Sequence, residues 1–411
     1  MQSTTRSESM PRKATADVVV IGGGIVGLAT AMRLIVKSPT IKVAVVEAES
    51  HVAAHQSGHN SGVLHSGIYY KPGSVKAITC RKGKAAMEQF CEEEKIPWDR
   101  CGKVVVATRQ SELTSLDRIA QRATDNGVAF ERINTDLLRE LEPCAAGIAA
   151  LHVPETGIVN YAKVCEAMSQ RITRHGGSVN LGFDVVNIET NDNSVCLKSR
   201  NGATVDCGRM VNCAGLQSDR ILRLSGGKPS VKIVPFRGEY YELQRESESL
   251  CRNLIYPVPD PSFPFLGVHF TRMIEGGVEC GPNAVLALAR HGYDWKTLSP
   301  KDLFETLSYP GFCRLAWSHW RMGIGEIRRS LNKGAFVRAL QKLVPSIRSS
   351  DLKPRRAGVR AQAVTPEGGL VDDFLIEETQ HAIHVLNAPS PAATASIAIA
   401  DTIVERVDQA C

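Results

Sequence analysis

A chain of 411 residues with 43% hydrophobic and 22% charged side chains has room for two domains, or for one large domain with an insertion. Its net charge of +6 is too mild at this size to argue for nucleic acid, and no apolar run reaches the roughly 18 residues of a transmembrane helix. Twelve cysteines without a CxxC pair, several of them inside apolar runs (Cys165, Cys196, Cys213), read as free thiols in a reducing compartment, with neither disulfides nor a metal site.

Residues 1–13 are rich in Ser, Thr and Arg but lack the apolar core of a secretory signal, so a disordered tail is expected there, with a short organellar presequence over residues 1–16 as the other reading. The first structured unit follows. Asp17 to Ile21 is a strand, Gly22 to Gly27 a glycine turn (GGGIVG), the apolar-periodic run to Lys37 a helix, and Lys42 to Glu47 a second strand. Gly22 permits the tight turn, Gly24 lets the backbone approach a pyrophosphate, and Gly27 lets the helix lie close to the sheet. The helix N-terminus then faces the phosphates with its unpaired amides. Glu47, 20 residues after Gly27, ends the second strand, where a carboxylate accepts from a ribose diol and repels a 2′-phosphate. This stretch predicts an ADP-containing dinucleotide, and by itself leaves NAD and FAD open.

Residues 51–70 carry four histidines (His51, His55, His59, His65) among glycines and serines, with Val63, Leu64 and Ile68 interleaved; they read as a loop wrapped around a ligand. Next come a helix from Ser74 to Glu94, a strand from Lys103 to Thr108, and helices from Ser111 to Asn126 and Thr135 to Leu141. The helix Asn160 to His175 and strands at 178–181, 184–189, 194–198 and 209–213 lead into Ala214 and Gly215, a second place where backbone can approach a ligand closely. From Val231 the composition changes. Strands over 231–243 and 254–271 with prolines at their ends, and a hairpin turn at Gly276 and Gly277, predict an inserted antiparallel sheet. Cys313 to Arg348 sets eight basic residues against the single acid Glu326, with Trp317, Trp320, Ile324, Ile327, Leu331, Phe336, Leu340 and Leu343 at helical spacing. It reads either as a solvated basic face over a core stripe or as a peripheral membrane contact. A last strand, Ala382 to Leu386, opens through residues 387–394 into a helix of small residues.

The fold class this order predicts is α/β, a Rossmann-like dinucleotide domain of discontinuous segments (14–95, 152–228 and 350–408), with an inserted α+β substrate domain (96–151 and 229–349) carrying the antiparallel sheet. Three close-approach turns, near 22–27, 212–215 and 387–394, suit a long ligand held across one domain, and no second nicotinamide-type half follows. FAD is the better inference.

The loop 58–73 (GHNSGVLHSGIYYKPG) together with 235–241 (PFRGEYY), 267–271 (GVHFT), 281–284 (GPNA), 358–362 (GVRAQ) and 388–394 (APSPAAT) resembles the L-2-hydroxyglutarate dehydrogenase/oxidase family, within the superfamily of D-amino-acid oxidase and glycerol-3-phosphate dehydrogenase. The resemblance runs from about Ala16 to Val407. It implies a glutathione-reductase-type FAD domain, non-covalent FAD, and oxidation of L-2-hydroxyglutarate to 2-oxoglutarate. A histidine titrating near neutrality suits the base, and a dicarboxylate needs cationic or hydroxyl partners. Arg360 is the expected carboxylate partner, His269 the expected base with His65 as competitor, and Tyr69, Tyr240 and Arg237 are further substrate candidates. For the cofactor the candidates are Gly22, Gly24, Gly27, Glu47, His55, His59, Asn60, Ser61, Gly62, Val185, Ala214, Gly215, Pro389, Ser390, Pro391, Ala392, Ala393 and Thr394. The alternatives are a flavin oxidase or dehydrogenase for another small acid or amine, such as glycerol 3-phosphate or glycine, and a redox-inactive flavin-binding or tRNA-modifying protein. Oxygen, a quinone and an electron-transfer flavoprotein all stay open as acceptor. The expected location is cytoplasmic or peripheral on the inner face of a membrane, and mitochondrial in a eukaryote.

Overall fold

The computed structural model describes residues 14–260 and 266–409, so the expected tail at 1–13 lies outside it. Its first sheet has eight strands built around Ala14–Ile21, which pairs in parallel with Val43–Val46 on one side and Thr204–Asn212 on the other. Thr204–Asn212 is long enough to hold two neighbours on one edge: the meander of Val185–Thr190 and Val195–Ser199 at its start, and Ala382–Asn387 at its end. Alternation along the first strand sends Val18 and Val20 into a core with the helices Ile25–Lys37, Val75–Glu93, Tyr161–Arg174 and Ala392–Gln409. Val19 and Ile21 go into a second core under the meander. The sheet is therefore buried on both faces, as parallel strands require.

Glycines set the spacing. Gly22 takes a φ of +114°, open to glycine and strained for other residues, and a Cβ there would strike the Cys213 carbonyl. A Cβ on Gly27 would collide with the Gly22 carbonyl, so the helix can start this close to the strand only without one.

The second sheet also has eight strands, ordered Leu352–Pro354, Tyr241–Leu243, Val278–Gly281, His269–Arg272, Leu254–Pro257, Lys103–Ala107, Ala149–Val153, Glu131–Ile133. All its pairs are antiparallel except Leu254–Pro257 with Lys103–Ala107. Helix Leu113–Asp125 covers one face through Leu116 and Ile119, and Lys333–Leu340 the other through Phe336 and Leu340. A small sheet of Val285–Leu286, Lys232–Gly238 and Gly358–Val364 joins the two halves.

The expected strand over 231–243 is two strands in two sheets, because the chain turns at Gly238, where a Cβ would press on Pro282. The basic stretch is not one helical pair. It forms Pro310–Ser318, Trp320–Leu331 and Lys333–Leu340, and the apolar residues divide: Phe336, Leu340 and Leu343 are core, while Trp317, Trp320, Ile324, Ile327 and Leu331 are exposed. Among the described residues no helix is long and apolar enough to cross a membrane, and the eleven described cysteines are all free.

One buried ion pair ties the halves together. Asp219, on helix Ser218–Leu224, meets Arg290 at 2.5 and 3.0 Å, both residues fully enclosed. Burial opposes the Asp219 charge, but Arg290 outweighs it and holds the carboxyl below its usual range. Arg290→Met is expected to destabilise the protein by about 3–5 kcal/mol in denaturant unfolding, because it strands a buried carboxylate. The loss should shrink as pH falls below the ordinary carboxylate range and through the lowered titration of the folded wild-type Asp219, where the pair's own stabilisation is lost.

Candidate active site

A cavity of about 1080 Å³ runs along the carboxyl ends of the first sheet's strands. That is at the top of the roughly 300–1,000 Å³ usual for small-ligand pockets, and enough for a dinucleotide with room beside it. One end is lined by Glu47, Phe183, Val185 and Ala214, its middle by Gly22, Gly24 and Ile25, and its far end by His65, Tyr240, His269, Arg360 and Ser390.

Each cofactor candidate has a local cause for its place. Gly24 caps the first helix without a side-chain bond, so that terminus opens to the cavity. The Glu47 carboxylate is pinned by the amides of Gly23 (2.5 Å) and Glu49 (2.9 Å), and each oxygen keeps lone pairs for a ribose. The buried Asn212 side chain donates to the Ser218 carbonyl (2.8 Å) and accepts from the Ala214 amide (3.1 Å), which shapes the turn that presents Ala214 and Gly215. Pro389, Ser390, Pro391, Ala392 and Ala393 bring the start of the last helix to the wall. Two long helices thus aim their N-termini at one cavity, a fitting cradle for a diphosphate and an electron-rich ring.

The histidine-rich loop encloses this space. His55 bonds to Glu49 and the Tyr293 hydroxyl, each at 2.9 Å, and His59 to the Ala357 carbonyl at 3.1 Å. Asn60 braces the loop, donating to the carbonyls of Gln56 and Ser57, and Ser61 also lines the wall.

Four candidates do not line the cavity. Gly27 acts from behind, by letting the helix close on the turn. Gly62, with a φ of +69°, makes its close approach to the Val159 carbonyl and not to a ligand. Thr394 is fully buried, and its hydroxyl is used on protein: Tyr161 Oη (2.8 Å), the Val63 carbonyl (3.2 Å) and the His65 amide (3.1 Å). Through the last of these it helps to position His65. Tyr69 packs into the core over Leu116 and Val105, away from the wall. Sequence reasoning also missed Gln56, whose Oε1 accepts from the Ala361 amide (3.0 Å), and Ser57, which accepts from Ile25 (2.9 Å); a small polar loop residue gives no periodic signal.

At the far end His269 is 7% exposed, and its Nδ1 lies 2.9 Å from the Gly267 carbonyl. A carbonyl only accepts, so the neutral ring carries its proton on Nδ1 and leaves a lone pair on Nε2. Burial lowers the His269 pKa to about 4, against the Gly267 bond and with help from Lys103 and Arg360; burial, Lys103 and His269 take His65 to about 3. Both are neutral imidazoles at physiological pH. Arg360 is exposed, on the cavity wall it lines, and the protein packed around that wall lowers its pKa by desolvation. Arg237 is fully buried over the Trp295 ring (4.3 Å), donates to Glu239 (2.9 Å), and leaves Nε and Nη1 without partners. Burial keeps Tyr240 a phenol.

Two helix N-termini on one cavity, the pinned Glu47 carboxylate and a neutral histidine sharing a wall with Arg360 fit a flavin-dependent oxidoreductase. The profile described as FAD dependent oxidoreductase matches residues 17–406, and the chain belongs to that family. Within it, the chain is 52% identical over 390 residues to L-2-hydroxyglutarate dehydrogenase of Indibacter alkaliphilus, covering 94% of this chain and 98% of the relative. It is 45% identical to the enzyme so named in Escherichia coli K12 (95% and 93% covered) and 42% to the mitochondrial one of Homo sapiens (96% and 89%). In fold it matches L-alpha-glycerophosphate oxidase of Mycoplasma pneumoniae with FAD bound, at a TM-score of 0.78, 19% identity and coverage of 96% and 95%.

Gly24→Val is expected to fold normally, since Ser57 Oγ at 3.3 Å is the nearest atom to a new Cβ, yet to lose flavin. The visible flavin absorbance that survives gel filtration should fall while far-UV circular dichroism stays unchanged.

Proposed function

We propose that this enzyme oxidises L-2-hydroxyglutarate to 2-oxoglutarate. The observation that carries the reading is the far wall of the cavity, where Arg360 stands beside a histidine whose free nitrogen is fixed by the Gly267 carbonyl. Identities of 42–52% to relatives bearing that activity's name support the same substrate.

Bound FAD supplies the acceptor for the hydrogen that leaves carbon 2 with its electron pair. The protein's part is to hold the 2-hydroxy acid and take the other hydrogen as a proton. Arg360 offers a planar fork to the carboxylate next to the reacting carbon. His269 Nε2 accepts the hydroxyl proton as the C–O bond becomes a carbonyl, and the Tyr240 hydroxyl gives the site a donor. Arg237, enclosed behind the wall it helps to form, adds positive charge at the end where the second carboxylate would lie. Because the base works as a neutral imidazole with a pKa lowered by burial, the acid limb of kcat/KM is expected well below neutral pH.

The test is anaerobic titration with L-2-hydroxyglutarate, its D enantiomer, L-lactate and glycerol 3-phosphate, read as bleaching of the flavin band. Only the first should bleach it; bleaching by glycerol 3-phosphate alone would assign the other substrate class. His269→Asn should slow flavin reduction by about 10²–10⁴-fold with flavin retained. An equal loss in His65→Asn but not in His269→Asn would reverse the assignment of the base.

The exposed apolar side chains support a docking face for electron delivery to a membrane quinone. Trp317 (82% exposed), Phe304 (72%) and Leu331 (71%) are exposed in the same run of short helices as the exposed Trp320, Ile324, Arg314, Arg321 and Arg328. A basic face with aromatic tips matches an anionic bilayer. Sedimentation with anionic vesicles at low salt should carry the protein down, and Trp317→Ser with Trp320→Ser should abolish it; a protein that stays in the supernatant rules the face out.

A further inference from the structure

Behind the two histidines lies a lysine that the reaction above does not use. Lys103 opens the strand Lys103–Ala107, is 1% exposed, and makes no ion pair among the described residues. Its Nζ lies 4.5 Å from the centre of the Tyr69 ring and 5.0 Å from that of Tyr256. The Tyr256 ring in turn packs 4.0 Å from the ring of His269. Lys103 is thus one side-chain layer from the cavity wall, in an aromatic cage.

The groups that face it come from every packed element. The loop after Leu64 contributes His65 and Tyr69, helix Val75–Glu93 contributes Cys80, strand Leu254–Pro257 contributes Tyr256, and strand His269–Arg272 contributes His269. Burial holds the tyrosines above their ordinary range and the histidines below theirs, and pushes the Cys80 thiol up to about 12. All are neutral at physiological pH. An ammonium among neutral groups, out of water, lacks the anion that would stabilise it, and burial lowers the Lys103 pKa to about 7.

A dicarboxylate brings that anion. At roughly 8 Å and an effective dielectric near about 20, one negative charge moves a neighbouring titration by more than about one pH unit. We propose that Lys103 is the proton-binding counter-charge of the site: its amine takes a proton from solvent as the dicarboxylate settles in front of His65 and His269, and returns it when the ligand leaves. The inference rests on the dicarboxylate reading of the cavity. Lys103 is then a positioning residue. It balances the ligand's charge without protonating the histidines, which stay available for the hydroxyl proton.

The test is calorimetry of the oxidised, FAD-loaded protein with 2-oxoglutarate at about pH 8, in two buffers of different ionisation heat. Uptake of roughly half a proton or more per site is expected, because the folded amine titrates below that pH when free and above it when the ligand is bound. Uptake should fade near about pH 5.5, where the amine is already charged. Lys103→Arg keeps the charge but cannot titrate, so it should bind 2-oxoglutarate with no uptake. Equal heats in both buffers for the wild-type protein would overturn the proposal, as would full uptake in Lys103→Arg. If that variant does not fold, the wild-type pair of titrations decides. Failure of the wild type to bind 2-oxoglutarate at all would overturn both this inference and the substrate reading.

Discussion

The contact on which the rest depends is the meeting of Gly27 with the Gly22 carbonyl. Without side chains at these two positions, the first helix starts hard against the turn, and its N-terminus, capped by Gly24, opens to the cavity. The close turn also lets Thr204–Asn212 pair along the whole first strand, so Ala214 and Gly215 arrive at the same cavity. The same strand then carries Ala382–Asn387, whose exit brings in the second helix N-terminus. A methyl group at Gly27 would displace three walls of the cavity at once.

The far end of the cavity obeys a different constraint, the cost of charge away from water. Desolvation lowers the pKa of both histidines and of Lys103, and keeps the tyrosines protonated. The Arg360 guanidinium stays charged there even so, because guanidinium resists deprotonation. An acidic ligand therefore meets fixed positive charge next to an imidazole able to accept a proton, and the arrangement needs no buried carboxylate as a partner for the base.

The βαβ unit was legible because its glycines, β-branched strands and terminal acid are local signals, each with its own steric or electrostatic reason. The ligand-wrapping loop was legible by its failure to fit either period, and the motif resemblance supplied His269 and Arg360. The second sheet was only partly legible. Val104, Val105 and Val106 are buried on both faces and show no alternation, and their partners lie as far away as Ile255. Strands of two or three residues, such as Glu131–Ile133 and Leu352–Pro354, carry no pattern at all. The motif 388–394 marks Thr394 as part of a close-approach turn, but that its hydroxyl bonds to Tyr161, Val63 and His65 is a tertiary fact that no local pattern carries. The basic stretch mixed core and surface because three short helices rotate its apolar residues to different sides.

The single amide of Gln56 joins two parts that otherwise have separate duties. Its side chain holds the backbone of Ala361, next to Arg360, while its own main chain is braced by Asn60 inside the loop that walls the cavity. Whatever tightens or loosens that loop is passed on to the arginine. The loop and the arginine's strand are accordingly not independent parts of this fold, and a lesion in one registers in the backbone of the other.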